Sequence, residues 1–217
     1  MRFSDPRHAP AQTLASALRD YPEWHRGRPR YAVWTLPVEC PRVLARLARA
    51  QAHLGDWLHA GYRRQAHITL FVCGFPAAQA QFDDDFPAAR LAAQLAALHA
   101  LRASPFALQI GGLDSYASAP FLNVSDPDGR LEPLRAALGA HSPEIRQSPY
   151  HAHLTAGLYA RSVPRTCVRQ RLAAFGESAP LPLRVEQLHY STYAAGELFG
   201  PLHTERRLAL QPASRLR

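Results

Sequence analysis

The sequence predicts an α+β fold with mainly antiparallel strands, and three of its features support that prediction. Two strand-like segments, residues 65–72 and 150–158, each contain His, one apolar residue and then Thr. Around them, hairpin-like pairs of short strands alternate with short helical segments. The chain has 217 residues, of which 47% are apolar and 19% charged, as expected of a globular protein. The repeated pattern indicates a duplicated half-domain.

The first part of the chain is predicted to form strand, helix, strand and helix. Residues 31–36 are rich in β-forming side chains and end at Pro37. Pro41 suits the first turn of a helix. The expected buried stripe of this helix is Leu44, Leu47, Leu54, Ala48 and Ala50. After the first His strand, three aspartates at 83–85 are expected to cap a second helix, because acidic side chains complement a helix N-terminus. A metal site at these aspartates is the weaker alternative.

The second part of the chain repeats the mixture of strands and helices. Strands are predicted over residues 106–110 and 121–124, with an irregularity at Gly111 and Gly112. A helix with Leu131, Leu134 and Leu138 on one face leads to the second His strand. The next helix is introduced by Ser162 and Pro164 and ends at Gly176. Residues 183–190 and 202–210 are predicted to be the closing strands.

The chain is predicted to contain one domain, residues 30–210, between two flanking segments. Residues 1–29 are interpreted as an N-terminal extension with a short helix over 13–18, and residues 211–217 as a basic tail. No apolar run is long enough to span a membrane and no secretory signal is recognisable, so a cytoplasmic protein without a membrane partner is expected. The three cysteines lack the spacing of a disulfide framework or a zinc site.

The two His-x-Thr segments carry the main prediction about function. Side chains two residues apart share one face of a strand, so His67 lies beside Thr69 and His153 beside Thr155. Two imidazoles can supply the base and the acid that hydrolysis of a phosphodiester requires near neutral pH. Two hydroxyls can hold the non-bridging phosphate oxygens. The four side chains therefore fit phosphodiester chemistry without a metal or other cofactor.

This pair of motifs resembles the two H-x-T/S-hydrophobic motifs of the 2H phosphoesterase superfamily, in particular its branch of bacterial 2′-5′ RNA ligases and RNA 2′,3′-cyclic phosphodiesterases. The resemblance runs from about residue 31 to residue 210 and implies two pseudo-symmetric lobes with helices packed outside and a central cleft. It implies His67 and His153 as the catalytic pair and Thr69 and Thr155 as the phosphate-binding groups. Ala156 departs from the motif, because a larger apolar residue is usual there.

The resemblance also implies the substrate, an RNA or oligonucleotide with a 2′,3′-cyclic phosphate end that is opened to a 2′-phosphate. Arg64, Tyr150 and His151 flank the motifs and are candidate substrate contacts. Three alternatives remain open. The same site could act in 2′-5′ ligation, in 2′-5′ cleavage or on a small cyclic nucleotide; the protein could be a non-catalytic RNA-binding module; or His67, His151 and His153 could hold a metal. No obligate protein partner is indicated.

Charge and composition narrow the classes of function further. The formal net charge of +8 favours an anionic partner such as nucleic acid. Every one of the basic residues counted as Lys or Arg is Arg. A phosphate-binding P-loop needs a lysine, and a ligase that forms a lysyl-nucleotide needs a lysine nucleophile. Both classes are therefore excluded.

Overall fold

The structure is a computed structural model that describes residues 1–146 and 148–211. Its strands are β1 (Arg30–Pro37), β2 (His67–Ala77), β3 (Asp85–Pro87), β4 (Phe106–Ser115), β5 (Pro120–Ser125), β6 (His153–Thr155), β7 (Leu181–Val185), β8 (Gln187–Ala194) and β9 (His203–Ala209). Its helices are α1 (Pro22–His25), α2 (Pro41–His53), α3 (Ala88–Leu101), α4 (Leu131–Gly139) and α5 (Arg165–Ala174). The predicted tail beyond residue 211 lies outside the described residues.

The strands form one sheet in the order β7-β4-β5-β6-β2-β1-β8-β9, with β3 added beside β2. Every pairing is antiparallel except that of β3 with β2. The sheet has two halves, β9-β8-β1-β2 (lobe one) and β6-β5-β4-β7 (lobe two). Their innermost strands, β2 and β6, are the two His strands. The predicted α+β fold with two pseudo-symmetric lobes is confirmed.

The lobes are not consecutive halves of the chain. Residues 183–190, predicted as one strand, are two strands that break at Glu186. The first, β7, pairs with β4 in lobe two, and the second, β8, pairs with β1 in lobe one. The chain therefore crosses between the lobes at this point, and its C-terminal strands complete the lobe in which the N-terminal strand lies.

One face of the sheet is covered by helices, and the motif side chains lie on the other. Ile68 and Leu154 point into the main core, where they are fully buried with leucines of α4 such as Leu134 and Leu138. Because side chains alternate along a strand, the neighbours of Ile68 and Leu154 face away from this core. This alternation leaves both His-x-Thr pairs on the open face.

The N-terminal segment differs from the prediction. Residues 13–18 are not helical, and the short helix in this region is α1. Phe3 is fully buried in a second core cluster with Trp57 and Tyr159, and the Phe3 amide donates to the Ser115 carbonyl at 2.9 Å. This packing was not predictable, because the segment has no strand or helix periodicity. Residues before β1 thus cover part of lobe two.

The buried stripe of α2 also differs from the prediction. Leu47, Leu54 and Ala50 are buried as expected, but Leu44 is 36% exposed and Ala48 faces solvent. Val43 and Arg46 take the buried positions. The Arg46 guanidinium reaches the carbonyls of Ile110 and Ala179, at 3.1 and 2.8 Å. The apolar periodicity of a sequence cannot predict that an arginine of a helix is buried and binds backbone carbonyls.

The aspartates at 83–85 do not cap a helix, which corrects that prediction. Helix α3 begins at Ala88, after Pro87. Asp84 and Asp85 instead bind the Arg28 guanidinium, at 2.5 and 2.6 Å, and Asp85 is almost fully buried. The guanidinium also stacks on the Phe75 ring, 3.6 Å from its centroid. This cluster fastens the segment before β1 to the end of β2.

We expect Arg28→Ala to lower the free energy of unfolding by about 3 kcal/mol, because it leaves the carboxylate of Asp85 buried without its counter-ion. Arg30→Ala is the matched control, because Arg30 pairs with Glu205 at the surface. It should change stability by less than about 1 kcal/mol. Urea unfolding of both variants checks the prediction. Equal effects of the two substitutions would contradict it.

Candidate active site

The two motif strands meet at a single pair, Ile68 opposite Leu154. In an antiparallel pair centred there, His67 lies opposite Thr155 and Thr69 lies opposite His153. The two histidines are then diagonal neighbours, which lie roughly 7–8 Å apart in antiparallel sheets. The structure thus brings all four predicted residues together on the open face.

Both histidines are oriented in the same way. His67 Nδ1 lies 2.7 Å from the Gln65 carbonyl oxygen, and His153 Nδ1 lies 2.7 Å from the His151 carbonyl oxygen. A carbonyl can only accept, so each Nδ1 carries the proton and donates it. Among the described residues, neither Nε2 has a hydrogen-bond partner. Both Nε2 atoms are therefore available to exchange a proton with a bound molecule.

Burial shifts the proton affinity of both imidazoles downward. It lowers the pKa of His67 to about 4, with smaller contributions from the charges of Arg64 and His153. Burial likewise lowers the pKa of His153, to which the charge of Arg146 adds. The carbonyls bound at Nδ1 oppose both shifts. Without a ligand, both imidazoles are neutral and lie near positive charges. A bound anion would raise their pKa values again, because negative charge favours the imidazolium form.

The Thr69 and Thr155 hydroxyls are partly buried on the same face. Within residues 1–146 and 148–211, neither hydroxyl has a hydrogen-bond partner in the protein. Each can therefore donate to an oxygen atom of a bound group. Ala156, the departure from the motif, is buried in the main core and does not face the cleft.

An aromatic and cationic cluster surrounds His153, and His151 is the one member of it that was a candidate from the sequence. The rings of Tyr116 and Phe121 lie 5.3 and 5.2 Å from the His153 ring, centroid to centroid. His151 stacks beside His153, and its two nitrogens lie 3.1 Å from the Tyr116 hydroxyl and from Arg2. The strand pairing of Phe121 with Thr155 could have indicated one neighbour. No sequence signal indicated Arg2, which the N-terminal segment brings from far along the chain.

Of the three candidate substrate contacts, His151 lies in the cleft with both nitrogens occupied, and the other two have structural bonds. The Tyr150 hydroxyl donates to the Thr69 carbonyl at 3.1 Å and so joins the segment before β6 to β2. The Arg64 guanidinium donates to the Gly200 and Leu198 carbonyls and stacks on Tyr193. Arg64 still supplies positive charge beside His67.

A metal centre finds no support in the part of the chain that the structure describes. There, no three side chains of His, Cys, Asp or Glu form a group able to hold a metal ion. His67, His151 and His153, the set considered from the sequence, do not form such a group.

The helices over residues 1–146 and 148–211 were also compared with the length and hydropathy that a membrane span requires, and none of them meets both.

The sheet of two lobes, with a His-x-Thr strand from each lobe at its centre, places the chain in the 2H phosphoesterase superfamily. Comparison with protein families makes the assignment more specific. The sequence model of the 2′-5′ RNA ligase superfamily matches residues 40–197, most of the chain. The chain belongs to the 2′-5′ RNA ligase superfamily. A comparison with curated proteins gave no match.

Solved structures with the same fold come from bacteria and a yeast. TT0787 of Thermus thermophilus is 17% identical, with a TM-score of 0.57 over 84% of this chain and 98% of that one. E. coli LigT complexed with NADP+ is 17% identical, with a TM-score of 0.54 over 85% and 99%. Kluyveromyces marxianus Usb1 is 17% identical, with a TM-score of 0.50 over 84% and 98%. At these identities the likeness establishes the fold.

Proposed function

We propose that the protein is a metal-independent phosphodiesterase that opens 2′,3′-cyclic phosphates at the ends of RNA or oligonucleotides. One observation carries this proposal. Two histidines, both with Nδ1 held by a carbonyl, present unpartnered Nε2 atoms on one face beside two unpartnered threonine hydroxyls, among the residues that the structure describes. Acid, base and phosphate-binding groups are then all supplied by the chain. Membership of the 2′-5′ RNA ligase superfamily supports RNA as the substrate class.

In the proposed reaction, a phosphate lies between the two imidazoles, with the threonine hydroxyls donating to its non-bridging oxygens. One Nε2 takes a proton from a water molecule, whose oxygen forms a bond to phosphorus. The bond from phosphorus to O3′ breaks on the opposite side, and the other imidazolium gives its proton to O3′. The product is a 2′-phosphate and a free 3′-hydroxyl. Because His67 has the more strongly lowered pKa, we assign it as the base and His153 as the acid.

The second candidate function is 2′-5′ ligation, which the name of the matching family favours. The same side chains would serve it, with an RNA 5′-hydroxyl in place of water as the attacking group.

The experiment is to incubate the protein, in EDTA, with an RNA ending in a cyclic phosphate, alone and with a second RNA bearing a 5′-hydroxyl. Ring opening alone supports the phosphodiesterase, and a joined product supports ligation. Salt-sensitive RNA binding without either product would favour a binding module.

The pH dependence of the reaction follows from the lowered pKa values. The productive enzyme carries one proton on the histidine pair. In the free protein this form becomes scarce as the pH rises through the lowered pKa of His153, and again below about pH 4, where His67 is also protonated. We therefore expect a bell-shaped profile of kcat/KM with its maximum below about pH 6.5. The maximum for kcat should lie at higher pH, because substrate phosphate stabilises the imidazolium. A flat kcat/KM between about pH 5 and 8 would contradict this.

A further inference from the structure

A cavity in lobe one opens directly beside His67. Its volume is about 480 Å³, within the range of small-molecule sites. It lies where β1 ends and β2 begins, against β8 and β9. Its walls include Val38, Leu44, His189, Ser191, Thr204 and Arg207. Since His67 also lines it, the cavity continues the cleft that holds the motifs.

Two buried polar atoms at this cavity have no hydrogen-bond partner in the described structure: His189 Nε2 and Ser191 Oγ. The side chains are 8% and 1% exposed. An unpaired buried polar atom costs stability, so native proteins seldom keep one without a function for it. Both side chains line the cavity.

The strand register places these two side chains in line with the motif. Thr35 of β1 pairs with Thr69 on one side and with His189 on the other, so all three face the same way. The adjacent strand continues the row, because His189 pairs with Arg207 and Ser191 with Thr204. A polar path therefore runs across lobe one, from the phosphate-binding threonine to the cavity.

The cavity offers a particular combination of groups. Burial keeps His189 neutral by lowering its pKa, and its Nδ1 lies 3.4 Å from the Thr204 hydroxyl oxygen, so Nε2 is the ring nitrogen left for a ligand. The Ser191 hydroxyl can donate or accept. Val38, Leu44 and Leu202 supply apolar surface, and the Arg207 guanidinium lies at the exposed rim. This set suits a flat heterocycle whose edge carries a donor beside an acceptor.

We propose that this cavity binds the nucleobase of the nucleotide whose phosphate lies between His67 and His153. The inference rests on the proposed function, because the phosphate fixes the nucleotide beside His67. Every nucleobase has flat faces for the apolar walls and an edge with donors or acceptors for His189 and Ser191. A second phosphate would account for Arg207 but leave the apolar walls and both buried polar atoms unexplained.

The test compares substrates with and without a base. Nucleoside 2′,3′-cyclic phosphates and methyl riboside 2′,3′-cyclic phosphate are assayed with wild type, Ser191→Ala, Thr204→Val and Arg207→Ala. We expect wild type to favour at least one nucleoside substrate in kcat/KM. This preference should fall by roughly three- to tenfold in the variants, the effect of one hydrogen bond. Arg206→Ala is the matched control, because Arg206 is the neighbour of Arg207 on β9 and faces the other way.

Two results would overturn the proposal: equal kcat/KM for base-containing and base-free substrates in wild type, or a preference that persists in all three variants. Failure of the proposed function has a separate signature, namely no turnover of either substrate. In that case, calorimetric titration compares how tightly the protein binds adenosine 2′-monophosphate and methyl riboside 2′-phosphate. Tighter binding of the adenosine compound, weakened in the variants, supports the base site, and equal binding overturns it.

Discussion

Replacing His67 or His153 by alanine is expected to lower kcat on a nucleoside 2′,3′-cyclic phosphate by about a hundred- to ten-thousandfold. Each substitution removes one Nε2 of the pair and leaves the other without its complement. Because base and acid act in the same transition state, the double variant should be little worse than either single variant. Rates measured at saturating substrate, with the far-ultraviolet circular dichroism of each variant, check the prediction.

His99→Ala is the matched control, because His99 is exposed on α3 and its Nδ1 contacts only the Leu95 carbonyl of its own helix, among the described residues. It should leave kcat unchanged. Full activity in both His67→Ala and His153→Ala would contradict the two-histidine mechanism. Loss in only one of them would show that acid and base are not both supplied by this pair.

Thr69→Val and Thr155→Val are expected to lower kcat by about a hundred- to a thousandfold each, as loss of one donor to a developing oxyanion does elsewhere. Valine keeps the branched shape and strand preference of threonine but removes the hydroxyl. Thr→Ser at the same positions keeps the donor and should retain most of the activity. Steady-state kinetics on the same cyclic substrate separates these cases.

The control for the threonine variants is Thr166→Val on α5, an exposed position away from the cleft, which should have no effect on kcat. If both cleft variants raise KM while kcat stays constant, the hydroxyls bind phosphate equally in the ground state and the transition state. That outcome would contradict the proposed role of the two threonines.

The sequence was sufficient to predict the α+β fold class and the placement of the four motif side chains on one face, because both depend on local periodicity. The alternation that buries Ile68 and Leu154 necessarily puts His67 and His153 on the opposite face. The irregularity at Gly111 and Gly112 was likewise predictable and is confirmed by the register shift between Ile110 and Leu113. Glycine pairs inside a strand are a local signal.

The sequence was not sufficient for contacts made between distant segments. Arg2 contacts His151, and Arg28 pairs with Asp85. Both arginines lie in the segment before β1, whose sequence has no strand or helix periodicity that could predict these contacts. The aspartates at 83–85 satisfied the rule for a helix cap, yet they bind a guanidinium, because a buried ion pair overrides a local preference. The cavity beside His67 is formed by strands from both ends of the chain, so no window of sequence could indicate it.

The most direct test of the two-histidine mechanism is to incubate EDTA-treated protein with cytidine 2′,3′-cyclic phosphate in ¹⁸O-labelled water and follow the products by ³¹P NMR. The mechanism predicts one isomer, the 2′-phosphate, with one ¹⁸O on phosphorus, and no such product from His67→Ala or His153→Ala at matched times. Persistence of the cyclic substrate in wild type, or equal product formation by the histidine variants, would contradict it.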